Sequence, residues 1–328
     1  MDLRFLRLPL WMLSFGGVAL TGCSLAHKFF EPNITEERIT EVRYLDQGWS
    51  DEDRQLFYAT PQGTELQGLH YKWLEALELP FSDEKLASAK NMRGWGFIVE
   101  PEQVKDADVG VHPVGMGQHI NPEDDSARLD LGCALCHTGE LHYNGTALRV
   151  DGGQAIHGMS TGAPGEFTHS IGVTAAEMLF NPAKWNRFAD DVAGNDPQQR
   201  RQLKRDFAAF RKRFFTFAMG PGNGDHFPTT EGRGRTDAVG RIANVVFGYN
   251  LGIKDNYTDA DAPVSYPFLW DIWRFDWVQY TGFTNQAMAR NVGESLGVMA
   301  PVKLVDEDGA LLPDGEFGQS TINVEGMQ

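Results

Sequence analysis

The chain has 328 residues, enough to bury a hydrophobic core without support from disulfides. Its formal net charge at pH 7 is −16, a balance that repels nucleic acid and anionic lipid headgroups. This charge excludes a nucleic-acid reader. It leaves two interpretations of the acidic surface: attraction of a basic redox partner, or a solvated surface that keeps the protein soluble.

The first residues have the form of a bacterial export signal. Arg4 and Arg7 precede an apolar stretch at 8–20 that is too short to span a bilayer comfortably. The stretch ends in Leu20-Thr21-Gly22-Cys23, which resembles the lipobox of bacterial lipoproteins. The resemblance implies a signal peptide at 1–22 and a lipidated mature N-terminus at Cys23. Because residue 24 is Ser, it also implies a location on the periplasmic side of the outer membrane. A plain secretory signal or an uncleaved anchor is the alternative.

Residues 23–47 are largely polar and charged, and we expect them to form a lipidated tether. Ser50 followed by three acidic residues predicts an N-capped helix that ends before Pro61. Two more short helices are predicted at 70–79 and 85–91. Between 94 and 125 glycine and proline recur and the hydrophobic periodicity fails. We therefore expect a long irregular segment that leads to the central motif.

The central motif is Cys133-Ala134-Leu135-Cys136-His137, an instance of Cys-x-x-Cys-His. This is the attachment pattern of c-type haem. The Cys133 and Cys136 thiols would add to the two vinyl groups of one haem c, and His137 would be the proximal ligand of the haem iron. Three alternatives remain: a zinc site, which needs four ligands, a thioredoxin-type redox pair and a plain disulfide. The chain has three cysteines, so with Cys23 lipidated none remains for another disulfide.

The residues after the motif change in pattern. Asn144-Gly145 lies between alternating apolar residues and predicts a β-hairpin. Trp270, Trp273 and Trp277 would share one face of a helix, either against haem or in an aromatic core. An aromatic stripe from Phe207 to Phe217 predicts a long core helix. The predicted helices after the hairpin are at about 182–192, 197–219, 236–248 and 285–298.

Four stretches resemble one known family. They are GWSDEDRQLFYATPQGT, CALCHTGELHYNGTALRVDGG, APVSYPFLWDIWRFDWVQYTG and ARNVGESLGV. They are similar to the di-haem c-type cytochromes related to bacterial cytochrome c peroxidases, and most similar to the branch with the rubber-cleaving oxygenases. The resemblance runs from about Gly48 to Gln328, and its middle stretches are specific to that branch.

The family pattern includes a second Cys-x-x-Cys-His in a C-terminal cytochrome domain, whereas this sequence contains one such motif. We therefore expect residues 48–328 to correspond to the N-terminal, single-haem half of a di-haem architecture. A mono-haem protein is the alternative. The resemblance implies that peroxidase chemistry uses two haems, and that oxygenase chemistry in the rubber-cleaving branch uses the N-terminal haem. It does not imply a polyisoprene substrate.

The sixth ligand of the iron would decide between functions, and the resemblance favours an open distal position. Arg149, and any other Lys or Arg near the pocket, are candidate partners for the haem propionates. The formally possible distal ligands are His112, His119, His142, His157, His169, His226, Met116 and Met159, while His27 lies in the tether and His70 in a predicted helix.

We expect an exported, redox-active haem protein, a peroxidase- or oxygenase-like oxidoreductase that activates peroxide or dioxygen. The alternative is an electron-transfer cytochrome c with a six-coordinate haem and no catalysis. The expected fold is mainly α: a cytochrome-c-like haem domain enlarged by extra helices and long loops, with a short β-hairpin after the motif. Expected partners are a redox protein or a small-molecule oxidant, the membrane through the N-terminal lipid, and a C-terminal cytochrome domain; no nucleic acid is expected.

Overall fold

The structure is a computed structural model that describes residues 30, 39–101, 110–159, 165–218, 228–229, 231–279, 282–306, 309–313 and 320–327. The predicted signal peptide and Cys23 lie outside the described residues. Short strands form three separate sheets with the orders β1-β5-β4, β2-β3 and β6-β7. The strands are β1 (Glu41–Tyr44), β2 (Met116–Ile120), β3 (Ala127–Leu131), β4 (Thr138–Tyr143), β5 (Thr146–Asp151), β6 (Arg235–Thr236) and β7 (Val264–Ser265).

Helices surround these sheets and supply most of the core. The α-helices are α1 (Asp51–Ala59), α2 (Tyr71–Ala76), α3 (Ala89–Gly94), α4 (Cys133–Cys136), α5 (Phe167–Glu177), α6 (Pro182–Ala193), α7 (Pro197–Ala218), α8 (Ala238–Ala243) and α9 (Ala287–Gly297). A π-helical turn at Asn244–Tyr249 extends α8, and two short 3₁₀ turns lie at Lys254–Asn256 and Ile272–Arg274.

The prediction of a mainly α, cytochrome-c-like fold is wrong. The structure contains 39% helix and 16% strand in mixed sheets, which makes it a mixed α/β fold. The largest omission is the β2-β3 pair, in which Met116 lies opposite Leu131. Strand β3 alternates as Ala-Arg-Leu-Asp-Leu, but its polar residues Arg128 and Asp130 are buried like its apolar ones, so neither face of the strand is exposed as in an amphipathic strand. Asp130 is accommodated because it accepts hydrogen bonds from the backbone amides of Gln62 (3.0 Å) and Gly63 (2.8 Å).

The hairpin after the motif is present. Strands β4 and β5 pair antiparallel from Thr138 opposite Asp151 to Tyr143 opposite Thr146. Asn144 (φ 50°) and Gly145 (φ 77°) both adopt the left-handed conformation that a two-residue hairpin turn requires. Strand β1 adds in parallel to β5. The last part of the segment expected to be a tether is therefore part of this sheet.

One aromatic core lies in the first two thirds of the chain. The stripe predicted on the long helix is correct: Leu203, Phe207, Phe210 and Phe214 of α7 are buried. They pack with Trp73 of α2, whose ring lies 5.4 Å from that of Phe207. The capped helix predicted after Ser50 is also correct, with the Ser50 hydroxyl accepting from the Asp53 amide and the Asp53 carboxylate accepting from the Ser50 amide.

One predicted helix is absent and one helix of the structure was not predicted, because tertiary contacts override local pattern in both places. The segment around Trp270 contains no continuous helix, since the Leu269 amide donates to the carbonyl of Gly152 (2.8 Å) instead of to a neighbouring turn. Helix α5 was not predicted. It is buried on most of its faces, so it lacks the polar stripe that marks an amphipathic helix. Among the described residues, no helix is both long and apolar enough to cross a membrane.

Candidate functional site

The Cys-x-x-Cys-His motif forms one helical turn, α4, between β3 and β4. The His137 amide donates to the carbonyl of Cys133 (3.0 Å) and closes the turn. The backbone of Gly115 (φ 80°) packs directly on this turn: a Cβ there would lie 2.0 Å from the amide nitrogen of Leu135. Ala134 and Leu135 are buried, whereas Cys133 is exposed and Cys136 partly exposed. The turn thus anchors its apolar residues and leaves Cys133 exposed and Cys136 partly exposed.

The imidazole of His137 is held by one hydrogen bond, 2.7 Å between Nδ1 and the carbonyl oxygen of Pro267. A carbonyl oxygen can only accept, so Nδ1 must carry the proton, and Nε2 keeps a free lone pair. Burial also lowers the pKa of His137 to about 4, so the ring is neutral near pH 7. A neutral histidine with Nδ1–H donated to a carbonyl is the arrangement in which Nε2 binds a metal.

The carbonyl of Pro267 belongs to a segment that we name the strap, residues 266–270. Two hydrogen bonds hold its other end on the hairpin: Leu269 N to Gly152 O and Trp270 Nε1 to Asp151 O, both 2.8 Å. Gly152 (φ 73°) allows this approach, since a Cβ there would lie 3.1 Å from Trp270 Nε1. The strap therefore positions the acceptor that orients His137.

The first residue of the strap contacts the motif as well. The Tyr266 side chain hydrogen-bonds the sulfur of Cys136, and its ring centroid lies 6.4 Å from that of His137. Desolvation raises the pKa of Cys136 to about 12 in spite of the remaining exposure, so the group is a thiol and not a thiolate at neutral pH. A thioredoxin-type pair needs a lowered thiol pKa, so the geometry does not favour that interpretation.

The disulfide and zinc-site interpretations of the motif also lack support. Cys133 and Cys136 are free thiols rather than a disulfide. Within the described ranges, no group of three or more cysteine, histidine or acidic side chains is arranged to hold a metal ion. A zinc site would need two more protein ligands close to the thiols. The residues fit haem better, because haem brings its own four nitrogen ligands and needs only the two thiols and one imidazole.

A second wall of the site comes from α9. The side-chain oxygen of Gln62 accepts from Ser295 Oγ at 3.1 Å and lies 3.9 Å from the sulfur of Cys133. Glu294 precedes Ser295 and forms an ion pair with Arg290 at 3.0 Å. Burial raises the pKa of Glu294, and the Arg290 charge opposes that rise. One basic and one acidic side chain of α9 therefore lie beside the motif.

The candidate distal ligands are mostly engaged elsewhere. His112 stacks on Tyr71 and pairs with Glu75, and His142 pairs with Glu140 on the hairpin. His70 stacks on Trp73 and His169 on Phe30, and Met116 lies in the core. His119 lies on β2 and Met159 packs against the core. His27 and His226 lie outside the described residues.

His157 is the candidate nearest the motif. It is 2% exposed, stacks on Phe97 and lies 5.6 Å from the ring of Tyr266. Burial lowers its pKa to about 4. The Met159 amide donates to its Nδ1 (3.4 Å), and the ring also hydrogen-bonds the backbone of Leu135. His157 and His137 thus share Tyr266 as a neighbour.

Arg149 does not face the site as expected for a propionate partner. It is 1% exposed, and its guanidinium donates to Glu140 (2.8 Å) and Glu100 (2.7 Å). The same network includes the Tyr58 hydroxyl, which donates to Asp151. These carboxylates use the donors of Arg149, so the network stabilises the hairpin and leaves this side chain no role at the motif.

Sequence reasoning found the motif and His157 near it, but not the other residues around it. Gln62, Pro267 and Arg290 contribute a side-chain acceptor, a carbonyl and a guanidinium, and none carries a local signal of chemistry. One indirect signal existed: these residues lie in the three other stretches that carried the family resemblance. The structure brings residues from all four stretches to one place.

Comparisons with known proteins add little about chemistry. No family model and no solved structure matches the chain. The chain is 31% identical over 331 aligned residues to the uncharacterised protein y4iJ of Sinorhizobium fredii, covering 91% of this chain and 52% of that protein. It thus spans about half the length of that relative. Because the relative is itself uncharacterised, the similarity assigns neither cofactor nor reaction.

Proposed function

We propose that this chain is an exported c-type haem protein that carries one haem on Cys133, Cys136 and His137. The observation that carries the proposal is the hydrogen bond from His137 Nδ1 to the Pro267 carbonyl, 2.7 Å long. It leaves Nε2 as the one ring nitrogen able to bind iron, directly after two free thiols. A purely structural role for His137 would not require an unprotonated Nε2 next to two cysteine thiols.

The residues have separate tasks in attachment. Each thiol S–H adds across a vinyl C=C, so a C–S bond forms, the proton goes to the other vinyl carbon, and no external oxidant is needed. Tyr266 holds the Cys136 sulfur in place. The strap keeps the imidazole in the Nδ1–H tautomer. When bound, haem supplies an iron that can exchange electrons or bind an oxygen-containing ligand.

We propose that the protein is a peroxidase- or oxygenase-like oxidoreductase acting on peroxide or dioxygen. A basic redox protein or a small-molecule oxidant is the proposed partner. The alternative, a six-coordinate electron carrier, has one supporting observation: His157 is buried close to the motif and has Tyr266 as a neighbour in common with His137. Carbon monoxide separates the two, because the reduced protein binds it readily if the iron is open and poorly if a side chain caps it.

Covalent attachment is tested by mass. The full chain is produced in cells competent for cytochrome c maturation, and denatured protein should gain the mass of one haem with a c-type pyridine haemochrome spectrum. Cys133→Ser with Cys136→Ser should abolish the covalent gain, and His137→Ala should remove the proximal ligand. His142→Ala is the matched control, since this exposed histidine pairs with Glu140 on the hairpin. A parent protein that stays at its bare mass would contradict the proposal.

We propose in addition that lipid on Cys23 anchors the protein on the periplasmic side of the outer membrane. The support is the sequence Leu20-Thr21-Gly22-Cys23. Cys23→Ala removes the acceptor sulfur and should release the protein from membranes. If the variant still sediments with membranes and resists salt washing, the anchor lies elsewhere.

A C-terminal cytochrome domain is the third proposed partner. The support is a surface we name the aromatic surface, exposed Phe268, Phe275, Trp277 and Phe283, together with the greater length of the relative. Large exposed apolar patches commonly mark interaction sites. We expect residues 23–328 alone to self-associate and to lack steady-state peroxidase turnover. A monodisperse monomer with brisk turnover by light scattering and peroxide assay would contradict this.

A further inference from the structure

The two thiols of the motif contact different parts of the chain. The sulfur of Cys133 lies 3.9 Å from Oε1 of Gln62, within reach of a hydrogen bond donated by the thiol. Cys136 contacts Tyr266 of the strap instead. Gln62 follows α1 and Tyr266 lies far along the chain, so the two contacts are independent. A change at Gln62 can therefore act on one thiol and leave the other as it is.

The side-chain amide of Gln62 has a fixed direction. Its Nε2 donates to the carbonyl of Leu131 on β3, and a carbonyl oxygen can only accept, so the nitrogen faces β3. Oε1 therefore faces α9 and the motif, where the Ser295 hydroxyl donates to it at 3.1 Å. An amide oxygen has two lone pairs. Ser295 uses one of them, and the other is directed to the thiol of Cys133.

The backbone at Gln62 is fixed as well. On one side, the amides of Gln62 (3.0 Å) and Gly63 (2.8 Å) donate to the carboxylate of Asp130. On the other side, the Asn323 amide donates to the Gln62 carbonyl at 3.1 Å. Gln62 is itself buried, with 8% of its surface exposed. The position of Oε1 is thus set by contacts that do not involve Cys133.

We propose that Gln62 is a positioning residue for haem attachment, whose Oε1 holds the Cys133 sulfur in the orientation from which its thioether forms. This rests on the proposed function and assigns a separate task to one thiol. Cys133 is exposed, so packing alone does not select one of its staggered rotamers, and the hydrogen bond to Gln62 does. The thiol S–H then adds across the vinyl C=C, with the sulfur on one carbon and the proton on the other. Gln62 exchanges no proton in this step.

The test asks which thiol carries the haem. The full chain is produced in cells competent for cytochrome c maturation, denatured, alkylated with iodoacetamide and cleaved with trypsin, which releases the motif in the fragment 129–149. Mass spectrometry then measures, among haem-bearing fragments, the fractions in which Cys133 or Cys136 is alkylated and therefore unattached. Gln62→Leu should raise the fraction with free Cys133 about fivefold, the factor that corresponds to one neutral hydrogen bond, and should leave that with free Cys136 unchanged.

A second measurement and two further variants sharpen the test. The pyridine haemochrome α band of Gln62→Leu should move to longer wavelength, because one vinyl group stays conjugated to the ring. Gln62→Asn withdraws the amide by one methylene group, so it should also raise the fraction with free Cys133, and it replaces Gln62→Leu if that variant does not fold. Gln118→Leu, at an exposed glutamine of β2, is the control and should match the parent.

Other results would overturn the assignment. Equal rises of free Cys133 and free Cys136 in the Gln62 variants would show a structural role. A doubly attached haem in both Gln62 variants, as in the parent, would remove the role of Gln62 and leave the proposed function standing. A parent fragment without haem would overturn the proposed function and this inference with it.

Discussion

In residues 39–218, the apolar side chains with the least exposure converge on one core, whereas residues 231–327 carry aromatic side chains on their surface. The core members from Leu66 to Phe214 come from the first region. Among the described residues after 231, the buried apolar side chains are Ala260 and Ala300. The second region is held by hydrogen bonds to the first, such as those of the strap, and by partly buried Val298 and Met299, which pack against the core.

This difference teaches how the candidate site is built. The motif turn belongs to the rigid first region, while Pro267 and Arg290 belong to the second. A firmly packed region thus presents the attachment residues, and a weakly packed one completes their surroundings. Regions with few buried apolar contacts open locally at lower cost. The strap is the place where the two regions meet at His137.

The largest effect is expected for a core substitution in the first region. Phe207 is 1% exposed and packs between Trp73 and Phe188. Phe207→Ala should lower the free energy of unfolding by about 3–5 kcal/mol, because it removes buried apolar area and leaves a cavity. Urea denaturation followed by circular dichroism measures the change. If Phe207→Ala lowers the unfolding free energy no more than a surface substitution does, the first region does not contain the packed core described above.

A smaller effect is expected where the regions meet. Trp270→Phe keeps the ring bulk but removes the hydrogen bond from Nε1 to the Asp151 carbonyl. We expect a loss of about 1 kcal/mol in unfolding free energy. We also expect faster amide exchange at Leu269, whose amide bonds Gly152. Phe275→Leu, at an exposed residue beyond the strap, is the control. Unchanged exchange at Leu269 would mean that Trp270 does not hold the strap.

A pH effect of similar or smaller size is expected at His70 in the first region. Burial is the largest cause that lowers its pKa to about 4; the charged groups around it are Arg128, Asp206, Asp124 and Arg213. Between pH 6.5 and 4 the unfolded chain binds a proton there and the folded protein does not, so stability falls as the pH falls.

His70→Gln should remove the part of the stability loss at low pH that the His70 imidazole causes. Allowing for the partial exposure of the ring, we expect the parent to lose about 1 kcal/mol more than the variant between pH 7 and pH 4. Above pH 6.5 the difference between the two proteins should be constant. Parallel curves of unfolding free energy across the whole range would contradict the assignment.

The smallest effect on stability is expected on the aromatic surface. Phe283 is 78% exposed, so Phe283→Ser should change the unfolding free energy by less than about 0.5 kcal/mol. Self-association of the isolated chain should nevertheless weaken, because the substitution removes apolar area from a contact surface. Leu179→Ser, exposed in the first region, is the control. If light scattering shows equal self-association for the parent and both variants, the aromatic surface does not mediate the self-association.

The sequence by itself determined the features that depend on local chemistry. The Ser50 cap, the Asn144-Gly145 turn and the stripe on α7 were predictable because each rests on neighbouring residues or on one helical period. The motif at Cys133, Cys136 and His137 was identified in the same way, by spacing alone. None of these requires knowledge of distant contacts.

Tertiary structure alone decided the fold class and the surroundings of the motif. Strand β3 forms although it contains Arg128 and Asp130, because partners far along the chain satisfy both charges. The residues near Trp270 do not form a helix, because the Leu269 amide donates its hydrogen bond to the Gly152 carbonyl. Arg149 turns to Glu100 and Glu140, while Arg290 comes to the motif. Such pairings join residues 130 positions apart between His137 and Pro267 and 233 positions apart between Gln62 and Ser295, and local pattern carries no information at that range.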